Sequence, residues 1–158
     1  MPLAALAGLP SRTEGYATPK IDIRAAVVRD GRILLVRERR DGCWTMPGGF
    51  ADIGLSAAEN AVKETWEEAT LRVRVAKFYR LRHRAKDPHQ PDWLDFYKVF
   101  FLCDPEDAAE PAPGAETDGA GFFDPADLPE MSLTRSTPDD VARALAHWQA
   151  PHLPTEWD

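Results

Sequence analysis

The sequence predicts an α/β fold of the α+β kind, and three observations carry that prediction. An Asp30-Gly31 dipeptide separates two β-rich runs, Ser56-Ala57-Ala58-Glu59 opens a helix rich in acids, and Phe96 to Cys103 (FYKVFFLC) is an apolar run of strand length. At 158 residues the chain is long enough for one core and short for two. The expected organisation is an N-terminal arm over 1–19, one domain over 20–150 and a C-terminal tail over 151–158.

The arm carries Pro2, Gly8, Pro10, Gly15 and Pro19, which interrupt any regular element. Draped over the domain or over a second subunit, it would suit a homodimer. Ile21 to Arg29 and Arg32 to Glu38 form a hairpin, because Asp-Gly supplies the positive φ angles of a type I′ turn. Cys43 to Met46 reads as a short strand that Pro47-Gly48-Gly49 must break, leaving a backbone that a ligand can approach closely. In the next segment the S-x-x-E spacing is a capping box, so a helix runs from Ala57 to Ala69. Ala58, Ala61, Val62, Thr65 and Ala69 recur at helical spacing and form its buried stripe, with Trp66 partly buried beside them.

Leu71 to Leu81 alternates as a long strand with room for a bulge, and Phe96 to Cys103 is the next. Between them His83 to Asp95 is polar and broken by Pro88 and Pro91, which makes it a loop over the pocket. Asp104 to Gly114 (DPEDAAEPAPG) reads as a surface loop of little information, and Ala120 to Phe123 as one more strand. Thr137-Pro138-Asp139-Asp140 supplies a cap, a proline at the first helical position and acids in the first turn, so a second helix spans Pro138 to Gln149 until Pro151 and Pro154 stop it. Internal repeats and a GxxxxGK[ST] phosphate loop are absent from the sequence.

A net charge of −7 and a pI near 5.1 argue against long nucleic acid as the partner, while a small nucleotide needs only a local positive pocket. Cys43 and Cys103 stand alone without metal-binding or disulfide spacing and read as buried thiols in a reducing cytoplasm. The first fifteen residues lack the basic start and the length of a signal peptide or membrane span, so no membrane partner is expected.

The chemistry is concentrated in Gly48 to Leu71. Glu64, Glu67 and Glu68 stand at i, i+3 and i+4, where three carboxylates repel one another unless a cation intervenes. A donor set of hard oxygens without Cys or His suits Mg²⁺ or Mn²⁺ rather than zinc. The competing reading of such a face is a solvated acidic patch. Lys63 lies four residues from both Glu59 and Glu67 and can hold a glutamate in place.

The Gly-Gly loop, the capped helix with K-E-x-x-E-E and the strand order resemble the Nudix hydrolase family, whose motif is G-x5-E-x7-R-E-U-x-E-E-x-G-U with U a bulky aliphatic residue. Gly49, Glu64, Glu67, Glu68 and Leu71 match it, whereas Leu55, Lys63, Thr65 and Thr70 stand where the motif has Glu, Arg, an aliphatic residue and Gly. Lysine lacks the bidentate fork of arginine, and Thr70 is a poor residue for a left-handed helix end. GYATPK at 15–20, DIGLSAAENAVKE at 52–64 and ETDGAGFF at 116–123 look like a subgroup resembling ADP-ribose and CDP-choline pyrophosphatases, in which a leucine at the place of Leu55 is usual. The resemblance spans about residues 15 to 148.

This resemblance implies a mixed sheet sandwiched between helices and Mg²⁺-dependent hydrolysis of a nucleoside diphosphate linked to a group X, giving a nucleoside monophosphate and phosphorylated X. Glu64 and Glu68 would bind metal directly, with the Gly49 carbonyl a third ligand, and Glu67 would orient water or complete a second metal site. The general base is open between Glu67 and Glu116. Arg37 and Arg39 are candidates for phosphate contacts, and Phe50, Trp93 and Tyr97 for stacking on a base, although solvated arginines and core aromatics are the plainer readings. His83 and His89 are minor candidates. A triphosphate pyrophosphatase and a non-catalytic nucleotide sensor are the alternatives.

Overall fold

A computed structural model describes residues 17–83 and 95–158. Most of the expected arm and the segment holding His89 and Trp93 lie outside the described residues. In chain order the elements are β1 (Lys20–Arg29), β2 (Arg32–Glu38), β3 (Trp44–Thr45), β4 (Gly48–Phe50), α1 (Ala57–Ala69), β5 (Val73–His83), β6 (Phe96–Pro105), β7 (Thr117–Phe123), α2 (Pro138–Gln149) and β8 (Glu156–Trp157).

The hairpin turn is type I′ as its sequence demands, with φ of 51° at Asp30 and 73° at Gly31. Beyond it the two strands stay paired only at Val28↔Ile33 and Arg29↔Arg32, and then they diverge. On the freed edges, β1 pairs with β4 through Asp22↔Phe50, Ile23↔Gly49 and Arg24↔Gly48, while β2 takes β3 and β7. This splay places the Gly-Gly segment in a ladder, so Gly48-Gly49 forms a short strand rather than the loop its composition suggests. Gly48 is the residue the splay requires. Its φ is +154°, and a Cβ there would lie 1.9 Å from the Ile23 carbonyl oxygen. On the other side β1 runs parallel to β6, β6 antiparallel to β5 and β5 parallel to β8, giving a mixed sheet.

Period-two alternation along β1 sorts the core into two layers. Ile23, Ala25 and Val27 face α1 through Ala61, Ala69 and Leu71, whereas Ala26 and Val28 face α2 through Val141, Ala144 and Leu145. The helices therefore cover opposite faces of the sheet, as expected. On α1 the buried stripe is Ala61, Thr65 and Ala69. Val62 lies outside it, on the solvent side with Trp66, whose ring is 48% exposed under the Arg72 guanidinium. Among the described residues no helix is long and apolar enough to cross a membrane.

Candidate active site

The opening between the diverging strands is a cleft of about 860 Å³, a volume suited to a nucleotide-sized ligand. Glu64 and Glu68 reach it from α1, Gly48, Gly49 and Phe50 from β4, and Glu116 from the approach to β7. The Ser56–Glu59 capping box is formed in both directions, which fixes the start of α1 and hence the rotation of its acids.

Glu68 is buried, at 6% exposure, and its Oε2 accepts the Gly48 N–H at 3.0 Å. Burial pushes its carboxyl up to about 8, against the opposing pull of Arg24 and that hydrogen bond. Burial likewise raises Glu64, outweighing the nearby Lys63 ammonium. Gly49 lies against the same carboxylate, since a Cβ there would stand 3.5 Å from Glu64 Oε2. Two desolvated carboxylates one turn apart make an electrostatically unfavourable pair in the absence of a cation. Among the described residues no three acidic, imidazole or thiol side chains gather into a closed metal cage. Two carboxylates beside the half-buried Gly49 backbone form an open donor set, the arrangement Mg²⁺ favours when water and substrate phosphate complete its shell.

Lys63, the residue at the arginine position, contacts three carboxylates: Glu67 at 2.8 Å, Asp52 at 3.1 Å and Glu64 at 3.3 Å. Hydrogen bonding to Glu67 raises its pKa despite partial desolvation, so the ammonium is a fixed charge. Glu67 itself is exposed on the outer side of this cluster and is not among the residues lining the cleft. Thr70 adopts the left-handed conformation with φ 53°, and its hydroxyl donates to the Ala112 carbonyl at 3.0 Å.

The carbonyls at the end of α1 are satisfied by the segment before β7. Ala112 N–H donates to Ala69 O at 2.9 Å and Thr117 Oγ1 to Glu68 O at 2.7 Å. Gly114 permits this contact, because a Cβ at that position would fall 1.6 Å from the Glu67 carbonyl oxygen. The acidic, Pro/Ala-rich segment thus caps the helix and delivers Glu116 to the cleft, a role its composition did not announce.

Of the other residues singled out in the sequence, Arg39 lines the cleft and donates to the Ala115 carbonyl at 3.1 Å. Phe50 is there too, half exposed, with its ring edge-on to Phe96 at 5.6 Å. Arg37 is engaged with Asp118 at 2.6 Å beside Trp44, and Tyr97 packs on the His83 ring at 5.1 Å; neither lines the cleft. His83 also pairs with Asp95 at 2.7 Å.

Sequence reasoning missed the floor and the far wall. Arg24 is buried and ion-paired with Asp22 at 3.0 Å, and it donates to the Met46 carbonyl at 3.1 Å. Burial works against its charge, but Asp22 outweighs burial and its pKa is raised. Glu38, Arg40, Phe96, Thr134 and Arg135 complete the lining. The signal available for Arg24 was its place in β1 two residues from Asp22, an opposite charge on the same face, directly before the apolar run Ala25 to Val28.

The family model of the NUDIX domain matches residues 19–145. Over 145 residues the chain is 39% identical to a Bacillus subtilis (strain 168) protein, YjhB, named as a candidate ADP-ribose pyrophosphatase, with 92% of this chain and 69% of that one covered. The crystal structure of an ADP-ribose pyrophosphatase from Streptococcus suis 89-1591 superposes with a TM-score of 0.81 at 37% identity, over 89% of this chain and 100% of that one. A UDP-X diphosphatase structure also gives 0.81, at 28% identity, over 100% of this chain and 76% of that one.

Proposed function

The chain belongs to the Nudix hydrolase family, and from that premise we propose that it is a divalent-metal-dependent pyrophosphatase acting on nucleoside diphosphates linked to a second group, of the ADP-ribose or CDP-choline type. The observation that carries this reading is the pair Glu64 and Glu68, desolvated and facing Gly49 inside a cleft whose other lining includes arginines.

Glu64 and Glu68 would hold Mg²⁺ or Mn²⁺, with the Gly49 carbonyl as a further oxygen. When bound, such an ion supplies charge that neutralises the diphosphate and lowers the pKa of a water. The remaining work falls to the chain. The Gly48 N–H holds the Glu68 carboxylate, the nearby Arg24 charge favours its ionised form, and Lys63 fixes the outer edge of the acidic face through Glu67 and Asp52. Water attacks one phosphorus, the P–O bond of the bridging oxygen breaks, and the proton passes to a general base. Glu116 suits that task because it lines the cleft, whereas the Glu67 carboxylate lies outside it and pairs with Lys63. The products are a nucleoside monophosphate and phosphorylated X.

The reading is tested by incubating the protein with ADP-ribose, CDP-choline, a UDP-sugar and nucleoside triphosphates, with Mg²⁺, Mn²⁺ or EDTA, and resolving the products. Metal-dependent release of a monophosphate from a diphosphate-linked compound is expected. Cleavage confined to triphosphates would replace this reading with a triphosphate pyrophosphatase, and binding without turnover of any compound would replace it with a sensor.

A further inference from the structure

The wall of the cleft facing the glutamate helix has no part in the reading above, yet it is held more tightly than a surface segment requires. Thr134 and Arg135 line it, within a segment 131–136 that enters from the α2 side, where Met131 joins the core. Lys98 lies beneath it, fully buried, with Nζ donating to Thr134 O at 2.7 Å and to Arg135 O at 2.6 Å and standing 3.5 Å from Asp22. A buried ammonium is unfavourable unless each N–H finds an acceptor, and here two successive carbonyls and a carboxylate supply them. Ser132 N–H donates to Trp44 O at 2.8 Å, and Ser136 Oγ accepts the Met46 N–H at 3.1 Å, so the backbone is pinned on both sides of Arg135.

The Arg135 side chain is directed by the same scaffold. Its Nη1 donates to Asp41 Oδ2 at 2.5 Å and to Ser132 Oγ at 2.8 Å, its Nε stands 3.9 Å from Glu38, and the guanidinium borders the cleft. Of the other arginines on the lining, Arg24 is buried and paired with Asp22, while Arg39 and Arg40 are exposed, Arg39 donating only its Nε to a backbone carbonyl, so Arg135 is the half-buried guanidinium whose direction is set by several partners. A diphosphate carries charge on both phosphoryl groups, and the glutamate side of the cleft serves one of them. The other needs a cation whose direction is already fixed, since a pre-ordered guanidinium loses less freedom when it forms hydrogen bonds to phosphate.

We propose that Arg135 is a substrate-binding residue that holds the phosphoryl group farther from Glu64 and Glu68, and that Lys98 acts through it as a positioning residue by fixing the Thr134-Arg135 backbone. This inference rests on the diphosphate reading of the cleft and assigns its second anion contact.

The test combines calorimetric titration of the Mg²⁺-loaded protein with the non-cleavable α,β-methylene analogue of ADP-ribose and steady-state kinetics on ADP-ribose. Arg135→Gln is expected to weaken analogue binding and raise KM about tenfold, the loss of one charge-assisted contact, with kcat within about twofold of wild type. Arg135→Lys restores part of the binding. Lys98→Met raises KM severalfold but adds nothing in the Arg135→Gln background, whereas a general structural defect would add in full. Mn²⁺ binding followed by electron paramagnetic resonance stays at the wild-type level in the Arg135 variants. Unchanged analogue binding in Arg135→Gln overturns the assignment, and a fully additive double variant overturns the part given to Lys98. Because Arg135 is a partly exposed side chain, its variants keep the test decisive even where Lys98→Met fails to fold. A wild-type protein that neither binds the analogue nor cleaves ADP-ribose overturns the diphosphate reading, and this inference with it.

Discussion

Glu68 is the residue at which stability and chemistry pull in opposite directions. Its carboxyl is buried against Gly48, and burial raises it from 4.5 to about 8. The folded metal-free protein therefore binds a proton that the unfolded chain has released between those two values, and stability falls as pH rises from about 4.5 to about 8. Glu68→Gln keeps an acceptor for the Gly48 N–H and removes the charge. In EDTA at pH 8 this variant is expected to be about 2 kcal/mol more stable than wild type in urea unfolding, with the advantage shrinking towards pH 5. The thiols give a second check at this scale. Burial pushes Cys103 up to about 12, and Cys43 is raised as well but is only half-buried, contrary to the expectation of two buried thiols. Iodoacetamide at pH 8 should label Cys43 slowly and leave Cys103 untouched until the protein is unfolded. At this scale the spacing of Glu64 and Glu68 along one helix was enough to pair them. Arg24, Lys98 and Arg135 were illegible because distant segments bring them together: parallel pairing of β1 with β6 sets Lys98 beside Asp22, and Lys98 in turn reaches the carbonyls of Thr134 and Arg135, 36 and 37 residues away.

Among the elements, α1 was readable end to end because its signals are local: a capping box at Ser56–Glu59 and small residues at helical spacing. The partners of its last carbonyls were not, since they come from residues 112–117. Gly114→Ala puts a methyl group against the Glu67 carbonyl. The loop must lift, at a cost of about 2–4 kcal/mol. Because Glu116 rides on that loop, kcat should fall more than the loss of stability alone explains at a temperature where the variant is folded. An unchanged kcat in folded Gly114→Ala would remove Glu116 from the reaction. The β4 strand was missed for a related reason. Pro47-Gly48-Gly49 looks like a break locally, and only the divergence of β1 from β2 offers it an edge to pair with.

For the whole molecule, the two capped helices were legible from local signals, whereas the mixed sheet with a helix on each face was implied by the family resemblance and is built by the alternation of β1 between two core layers. The terminal strand was not legible. Glu156–Trp157 is two residues long and is held by side chains: Glu156 pairs with the buried His147 at 2.9 Å and with Arg143, and Lys77 donates to the Pro151 and Leu153 carbonyls. Removing residues 151–158 leaves His147 and Lys77 without those partners. The loss is expected to be about 3 kcal/mol of stability with KM unchanged, because neither residue lines the cleft.

The role of the metal-side glutamates is measured most directly by ADP-ribose hydrolysis by wild type and Glu68→Gln under saturating Mg²⁺. If Glu68 holds the metal, kcat falls about 10²–10³-fold in a variant that is folded and, without metal, more stable than wild type. A Glu68→Gln variant that turns over at the wild-type rate would contradict that role.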